Sequence, residues 1–212
     1  MNRTETLALL SQHRPEMQRR FGMRSLALFG SRAREQSHVN SDIDLLVEFD
    51  GPATSARYFG LQFFLEDLLG GPVDLVTRQA LRHNCVPSSN ATRSMSDAAV
   101  SREWRFYVED MIAFCDKALA YTNGLDRSTF SADPMRYDAK LRNLELIGEA
   151  ATHVPDDVRN ATTDVPWRMV VAARNRLIHG YLGIDDDTLW SIVSDDLVPL
   201  RAALFRLRAV RP

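Results

Sequence analysis

The pattern of hydrophobic and polar positions changes about halfway along the chain. Up to about residue 84, short apolar runs that end in turn residues alternate with longer amphipathic stretches, which indicates strands alternating with helices. After about residue 102, apolar residues recur at spacings of three and four, which is typical of helices. The pattern predicts helices over 4–20 and 55–69, strands over 25–29, 42–49 and 73–76, and only helices beyond 102.

A polar stretch separates these two regions. Residues 85–101 are small, polar and aperiodic, as expected for a linker. We therefore expect an α/β domain over 1–84, with a small mixed sheet flanked by helices, and an all-α domain over 102–212. The spacing in the second domain predicts a bundle of four or five helices, the last running from about Asp185 to Arg208.

Composition narrows the classes of protein to consider. The formal net charge of −2 argues against a protein that coats nucleic acid through a basic excess, so any contact with RNA has to be local. The sequence contains no apolar run long enough to span a membrane and no signal-peptide pattern, so we expect a cytoplasmic protein without a membrane partner. Cys85 and Cys115 lack the spacing of a metal site and are expected to be passive thiols.

The first candidate site is acidic. Gly30 and Ser31 follow the first strand, and ten residues later Asp42 and Asp44 begin the second. Residues two apart on a strand point to the same face, so the two carboxylates should project together. Two clustered carboxylates favour a cation, and Mg²⁺ fits best because it prefers hard oxygen ligands and accepts substrate phosphates. The alternative is that the acids only edge a strand beside an ordinary turn.

A third acid and a phosphate-binding turn would complete this site. Asp74 stands alone in the apolar third strand and is a candidate metal ligand and general base. Gly30 and Ser31 are placed to offer backbone N–H groups and a hydroxyl to a triphosphate. Metal ions held in this way stabilise the attacking and leaving oxygens while a nucleoside monophosphate is transferred and pyrophosphate leaves.

Over residues 20–84 the sequence resembles the minimal nucleotidyltransferases of the polymerase-β-like superfamily. The resemblance rests on the Gly-Ser pair, the Asp-x-Asp motif ten residues later and the third Asp in a Val-Asp-Leu-Val strand. It implies binding of ATP and Mg²⁺, with Gly30 and Ser31 at the triphosphate. It also implies that Asp42, Asp44 and Asp74 lie at the metals and the acceptor.

The second candidate site lies near the end of a predicted helix. Arg174 and His179 are five residues apart and therefore do not stack as a local pair. A histidine moves protons near neutral pH and an arginine provides a fixed cation for a phosphate, which are the groups that an RNase needs. Tyr181 follows two residues later, and Asn175 is a candidate for orienting the substrate or His179.

Residues 102–205 resemble the HEPN family of helical domains, in particular the HepT-like RNase toxins that pair with minimal nucleotidyltransferase antitoxins. The likeness lies in residues 107–111, 144–150 and 165–167 and in the Arg-four-His-x-Tyr pattern. It implies a metal-independent RNase site formed by Arg174 and His179 across a homodimer. It further implies that the partner enzyme attaches AMP to Tyr181.

Together the two regions predict a toxin and its antidote in one chain. The nucleotidyltransferase would use ATP to adenylylate the Tyr of the RNase domain and so silence it. An alternative is a nucleotidyltransferase for a small-molecule acceptor, with the helical domain binding the substrate. A second alternative is a non-catalytic nucleotide sensor, against which the three acids argue. The sequence leaves open the RNA target, for which tRNA is one candidate, the number of AMP units and any assembly larger than a dimer.

One part of the nucleotidyltransferase pattern is missing. The resemblance implies a charged amphipathic helix after the third strand, but residues 87–98 have no helical pattern. Our hypothesis is that two overlapping reading frames have been joined at this point. If no alternative frame of the coding DNA around codons 85–98 encodes an amphipathic helix, the hypothesis fails.

Overall fold

The computed structural model describes residues 3–29, 43–78, 80, 104–179 and 184–209. Contacts divide the chain into two compact units. Unit 1 comprises Met1–Cys85 and Leu182–Ser191, and unit 2 comprises Val86–Tyr181 and Ile192–Pro212. The linker predicted at 85–101 lies outside the described residues. Within the described part, no helix is both long and apolar enough to cross a membrane.

Unit 1 contains a three-stranded mixed sheet packed against helices. Its strands lie in the order β1, β2, β3, with β1 antiparallel to β2 and β2 parallel to β3. The predicted α/β fold is therefore confirmed. The elements of unit 1 are α1 (Arg3–Phe21), β1 (Met23–Leu28), β2 (Ile43–Phe49), α2 (Ser55–Leu69), β3 (Val73–Thr77) and α7 (Asp186–Ser191), which comes later in the chain.

Alternation along the strands places one face of this sheet in a hydrophobic core. Ile43, Leu45 and Val47 of β2 are buried, and the intervening residues are more exposed. Helices α1 and α2 contribute further buried side chains, and the Tyr58 hydroxyl donates a hydrogen bond to the Leu75 carbonyl oxygen. Gly70 ends α2 in a left-handed conformation (φ 67°), as its position after the apolar run predicts. The acidic residues of the strands therefore lie on the opposite, more exposed face of the sheet.

Residues 184–191 pack within unit 1, although more than a hundred residues separate them from β3. Asp185 accepts a hydrogen bond from the Asp187 N–H (2.8 Å) and so caps the start of α7. Its other carboxylate oxygen accepts one from the Thr77 hydroxyl at the end of β3 (2.8 Å). Further along, Thr188 and Leu189 are fully buried. This segment is therefore part of the packed interior of unit 1.

The raised pKa of the Asp185 carboxyl group makes the stability of unit 1 depend on pH. Burial raises its pKa above the usual value, although the hydrogen bonds from Thr77 and the Asp187 N–H oppose the shift. The carboxyl group therefore takes up its proton at a higher pH in the native protein than in the unfolded chain. As the pH falls from the raised pKa toward the ordinary value of 3.8, this group makes unit 1 more stable. Asp185→Asn removes the titration: its single oxygen can accept the Asp187 N–H, and its amide N–H can donate to the Thr77 hydroxyl oxygen in place of the present bond.

At neutral pH, where the buried charge carries its full cost, we expect the Asn variant to be at least as stable as the parent protein. We expect this advantage to shrink in mild acid. Urea unfolding of both proteins at the two pH values measures the difference in free energy of unfolding. A difference that stays constant with pH would contradict the assignment.

Unit 2 is helical, and the prediction of a bundle of four or five helices is confirmed for its described residues. Helix α3 packs against α4 and α8, and α4 packs against α6. Cys115 is buried in α3, where desolvation raises the pKa of its thiol to about 12, as expected for a passive thiol. The elements are α3 (Trp104–Thr122), α4 (Pro134–Thr152), α5 (Asp156–Ala161), α6 (Trp167–His179) and α8 (Leu197–Ala209).

The last predicted helix differs from the expected continuous α-helix. A π-helical turn, Ile192–Asp196, lies between α7 and α8. Pro199 follows within the first turn of α8, and it cannot donate an N–H to the preceding turn. A wider turn before the proline relieves the clash of its ring with the carbonyl four residues earlier. The position of this proline accounts for the interruption.

Candidate functional site

The acidic residues of unit 1 come together on neighbouring strands. Asp44 and Asp74 are direct register partners in the parallel pair β2 and β3. Both are partly exposed, and they alternate with the buried residues Ile43, Leu45 and Leu75, so their side chains share the face opposite the core. Adjacent strands lie about 4.8 Å apart, which brings two carboxylates close enough to share a cation. This pairing is the central feature of the site.

The end of β1 leads into the predicted phosphate-binding turn. The Phe29 N–H donates to the Asp44 carbonyl oxygen (3.0 Å), which continues the antiparallel pairing to the last described residue before Gly30. Gly30, Ser31 and Asp42 lie outside the described residues, so their roles stay predictions. Among the described residues, no group of three or more His, Cys, Asp or Glu side chains is placed to hold a metal ion.

A third acid on this face of β2 has a different environment. Glu48 pairs with Arg24 (3.7 Å) and Arg78 (3.9 Å) and accepts a hydrogen bond from the Ser25 hydroxyl (3.1 Å). Two cations and a hydroxyl therefore surround this carboxylate. Glu48 is held by these neighbours as part of the sheet surface.

The arginine of the second candidate site is held at the crossing of α4 and α6. Arg174 donates to Glu149 of α4 (2.6 Å) and to the Asn175 side-chain oxygen (2.9 Å). Its Nε atom is buried and has no hydrogen-bond partner in the described part of the chain. Two of the five N–H donors of the guanidinium are thus engaged, and they fix its direction. Such an arrangement suits a cation that has to meet a phosphate in a defined orientation.

Glu149 also joins Arg174 to a histidine and an aromatic ring. Its second oxygen lies 3.6 Å from the Nε2 atom of His153, the C-cap residue of α4, four positions further along the chain. The His153 ring stacks on Tyr107 of α3, with centroids 4.6 Å apart and an interplanar angle of 15°. We call Tyr107, Glu149, His153, Arg174 and Asn175 the arginine cluster. About half of each of the His153 and Glu149 side chains is exposed, so the cluster is accessible to a ligand.

Glu149 and His153 are not among the site residues that the sequence predicts. Their spacing of four, about one helical turn, indicates that they share a face. The pairing of Glu149 with Arg174, however, depends on how two helices cross, and no local spacing encodes that crossing. The sequence therefore indicates that Glu149 and His153 share a face, but it does not indicate that Glu149 contacts Arg174.

Gly148 permits the close approach of α4 and α6. A Cβ atom at this position would lie 2.1 Å from the Arg174 Cβ and 3.0 Å from the Val170 carbonyl oxygen. One neighbour is a backbone atom of α6 and the other is a Cβ atom fixed to that backbone, so a side chain can be accommodated only by moving the helix. The absence of a side chain at Gly148 thus fixes the position of Arg174 relative to Glu149.

We expect Gly148→Ala to lower the free energy of unfolding by about 1–3 kcal/mol, the usual cost of overpacking. Arg174 should shift away from Glu149 at the same time, so RNA cleavage, measured on protein that carries no AMP on Tyr181, should fall as well. Urea unfolding and a cleavage assay measure the two effects. Gly71→Ala is the control, because nothing lies within 4 Å of a Cβ atom at that position. Equal effects of the two substitutions would contradict the close approach.

The remaining residues of this site lie at the C-terminal end of α6. His179 is the last residue of the helix, and its side chain is not described. Tyr181 lies outside the described residues, as does Gly180. The structure therefore brings Arg174 and Asn175 together on α6, while the placement of His179 and Tyr181 beside them stays a prediction.

Two family models match the chain. Residues 10–98 match a model described as a nucleotidyltransferase domain. Residues 111–207 match a model described as ribonuclease HepT-like. The first match contains Asp44 and Asp74, and the second contains the whole arginine cluster apart from Tyr107. No solved structure matches the chain.

Two curated relatives come from one organism, Thermococcus cleftensis. The protein named probable ribonuclease HepT is 31% identical over 109 residues, which cover 51% of this chain and 99% of that protein. The protein adenylyltransferase MntA is 37% identical over 78 residues, which cover 37% of this chain and 79% of that protein. Each relative thus corresponds to part of this chain. The chain belongs both to the nucleotidyltransferase family that includes protein adenylyltransferases and to the HepT-like ribonuclease family.

Proposed function

We propose that the nucleotidyltransferase domain transfers AMP from ATP to Tyr181 of the same chain and thereby silences the ribonuclease of the HepT-like domain. The observation that carries this proposal is the register pairing of Asp44 with Asp74 in a chain that also contains the arginine cluster. A relative named protein adenylyltransferase and another named ribonuclease support the two activities. In this chain the two activities are joined covalently.

The transfer is a substitution at the α-phosphorus of ATP. The phenol oxygen of Tyr181 forms the new bond to this phosphorus, and the bond to the oxygen that bridges to the β-phosphate breaks. Pyrophosphate leaves with that oxygen, and the phenol proton passes to Asp74, which acts as general base. Gly30 and Ser31 hold the triphosphate through backbone N–H groups and a hydroxyl.

The donor set on β2 and β3 fits a magnesium ion. Asp44 and Asp74 offer hard carboxylate oxygens from adjacent register positions, and Asp42 would add a third on the same face. When bound, Mg²⁺ neutralises charge on the triphosphate and on the leaving pyrophosphate. Asp42, Asp44 and Asp74 are the residues that would hold it.

The ribonuclease uses a fixed cation and a proton carrier. Arg174, oriented by Glu149 and Asn175, binds the phosphate of the RNA, and His179 moves the proton. Two HepT-like domains form a homodimer that shares this RNA site. AMP on Tyr181 places a phosphodiester charge and a bulky nucleoside two residues from His179, where they compete with RNA for Arg174.

The test is the intact mass of the purified protein, followed by peptide mapping. We expect one or more AMP groups on Tyr181, which increase after incubation with ATP and Mg²⁺ and are absent from Tyr181→Phe. If Tyr181 stays unmodified under these conditions, the proposal is wrong. Transfer of AMP to a small molecule in the same assay would then favour an enzyme with a small-molecule acceptor.

A further inference from the structure

Several polar groups of the nucleotidyltransferase unit form hydrogen bonds with residues 184–191. Helix α2 begins without a side-chain cap of its own, because Thr54 at the N-cap position makes no capping hydrogen bond. The Ser55 N–H instead donates to the Ser191 hydroxyl oxygen (2.5 Å). The Ala53 carbonyl oxygen, just before the helix, accepts from the Thr188 hydroxyl (2.6 Å). Two backbone groups at the start of α2 thus depend on a distant segment.

The same segment contacts the strand that carries Asp74. Thr77 ends β3, three residues after Asp74, and its hydroxyl donates to Asp185 (2.8 Å). The Thr77 oxygen also accepts the Ala80 N–H (3.2 Å), so this hydroxyl connects the end of β3 both to the residues that follow it and to Asp185. The end of this strand is therefore fixed in part by Asp185.

These contacts are buried. Ser55, Thr77, Asp185, Thr188 and Ser191 are each at most 4% exposed. A buried polar group that loses its partner costs far more than an exposed one, because water cannot replace the lost hydrogen bond. Residues 184–191 therefore behave as a structural part of unit 1 and not as a surface loop.

We propose that residues 184–191 are an anchor that holds the AMP-acceptor segment of the chain to the nucleotidyltransferase unit. The proposal rests on the proposed function for the identity of the acceptor, Tyr181. Tyr181 precedes Asp185 by four residues, and a chain of four residues spans at most about 14 Å. Anchoring Asp185 on Thr77 therefore limits how far the acceptor can move from the strand that carries Asp74. The anchor raises the effective concentration of the acceptor well beyond what a free linker gives.

The experiment uses the full chain and pairs of substitutions that differ only in the hydroxyl. Thr77→Val and Thr188→Val keep the shape of the side chain and remove the hydrogen bond, whereas Thr77→Ser and Thr188→Ser keep the hydrogen bond. Ser191→Ala is compared with Ser194→Ala, because the Ser194 hydroxyl is exposed and contacts only its neighbour Asp195 among the described residues. AMP is first removed from each purified protein with a phosphodiesterase, and the rate of AMP transfer to Tyr181 after addition of ATP and Mg²⁺ is followed by mass spectrometry.

We expect each Val variant and Ser191→Ala to transfer AMP about fivefold to tenfold more slowly, the factor expected for the loss of one buried hydrogen bond. The KM for ATP should stay unchanged, because the anchor positions the acceptor and not the nucleotide. The Ser variants and Ser194→Ala should retain the parental rate. Transfer at the parental rate in all the Val variants and in Ser191→Ala would overturn the proposal.

Amide hydrogen exchange tests the anchor independently of AMP transfer. The Ser55 N–H should exchange faster in Ser191→Ala than in the parent, while the amides of β2 keep their protection and show that the unit is folded. Unchanged protection of Ser55 would overturn the anchor even if AMP transfer slowed. A parent protein that never acquires AMP would refute the proposed function, whereas the exchange result would still decide whether the segment is anchored.

Discussion

Replacing Asp42 and Asp44 together by Asn is expected to abolish AMP transfer to Tyr181 and to make the protein arrest the growth of cells that express it. Asp44→Asn removes a negative charge from the face of β2 where Asp44 meets Asp74, and Asp42→Asn removes the second acid that the sequence predicts on that face. The site then loses several kcal/mol of charge stabilisation in the transition state, so the transfer rate should fall by about 10³-fold or more. The ribonuclease would remain unmodified and active.

Mass spectrometry of the expressed protein and growth curves after induction measure the two effects. Glu48→Gln is the matched control, because Glu48 lies on the same face of the same strand but is held by Arg24 and Arg78. The control should keep its AMP and leave growth unchanged. AMP on Tyr181 of the Asp42→Asn, Asp44→Asn protein would show that these acids are not needed for transfer, and unchanged growth without AMP would count against a toxic ribonuclease.

The positions of Asp44 and Asp74 in their strands could be predicted from the sequence because the pattern is local. Alternation along a strand also predicts that Asp42 shares a face with Asp44, and a single Asp in an apolar strand is conspicuous without any knowledge of the fold. The pairing of Asp44 with Asp74 needs one further step, the parallel alignment of β2 and β3 across α2. The same alternation explains why Ile43 and Leu45 enter the core, so one pattern predicts both the fold and the site.

Two features could not be predicted, because each depends on contacts between distant parts of the chain. Glu149 orients Arg174 only because the absence of a side chain at Gly148 lets two helices cross closely. The packing of residues 184–191 within unit 1 is likewise invisible in a helical pattern, since Thr188 and Ser191 look like ordinary helix residues. Their partners are the carbonyl and N–H groups at the start of α2, which no side-chain pattern reveals.

In the helical domain, the largest loss of RNA cleavage is expected from His179→Ala and Arg174→Lys. Both are introduced into the Asp42→Asn, Asp44→Asn protein, so that Tyr181 carries no AMP. Loss of His179, the proposed proton carrier, should slow RNA cleavage by about 10²- to 10⁴-fold. Arg174→Lys keeps the charge but replaces a planar fork by a single ammonium group, which cannot contact Glu149, Asn175 and a phosphate in the same fixed orientation.

Cleavage of bulk cellular RNA by the purified proteins measures this effect, and recovery of growth measures it in cells. His13→Ala and Arg142→Lys are the controls: His13 is partly exposed on α1, and Arg142 is an exposed residue of α4 that pairs with Glu145. Because the charge on Arg174→Lys is unchanged, a loss of cleavage in this variant would identify the geometry of the guanidinium as the requirement. Full cleavage by both site variants would instead place the ribonuclease site elsewhere on the helical domain.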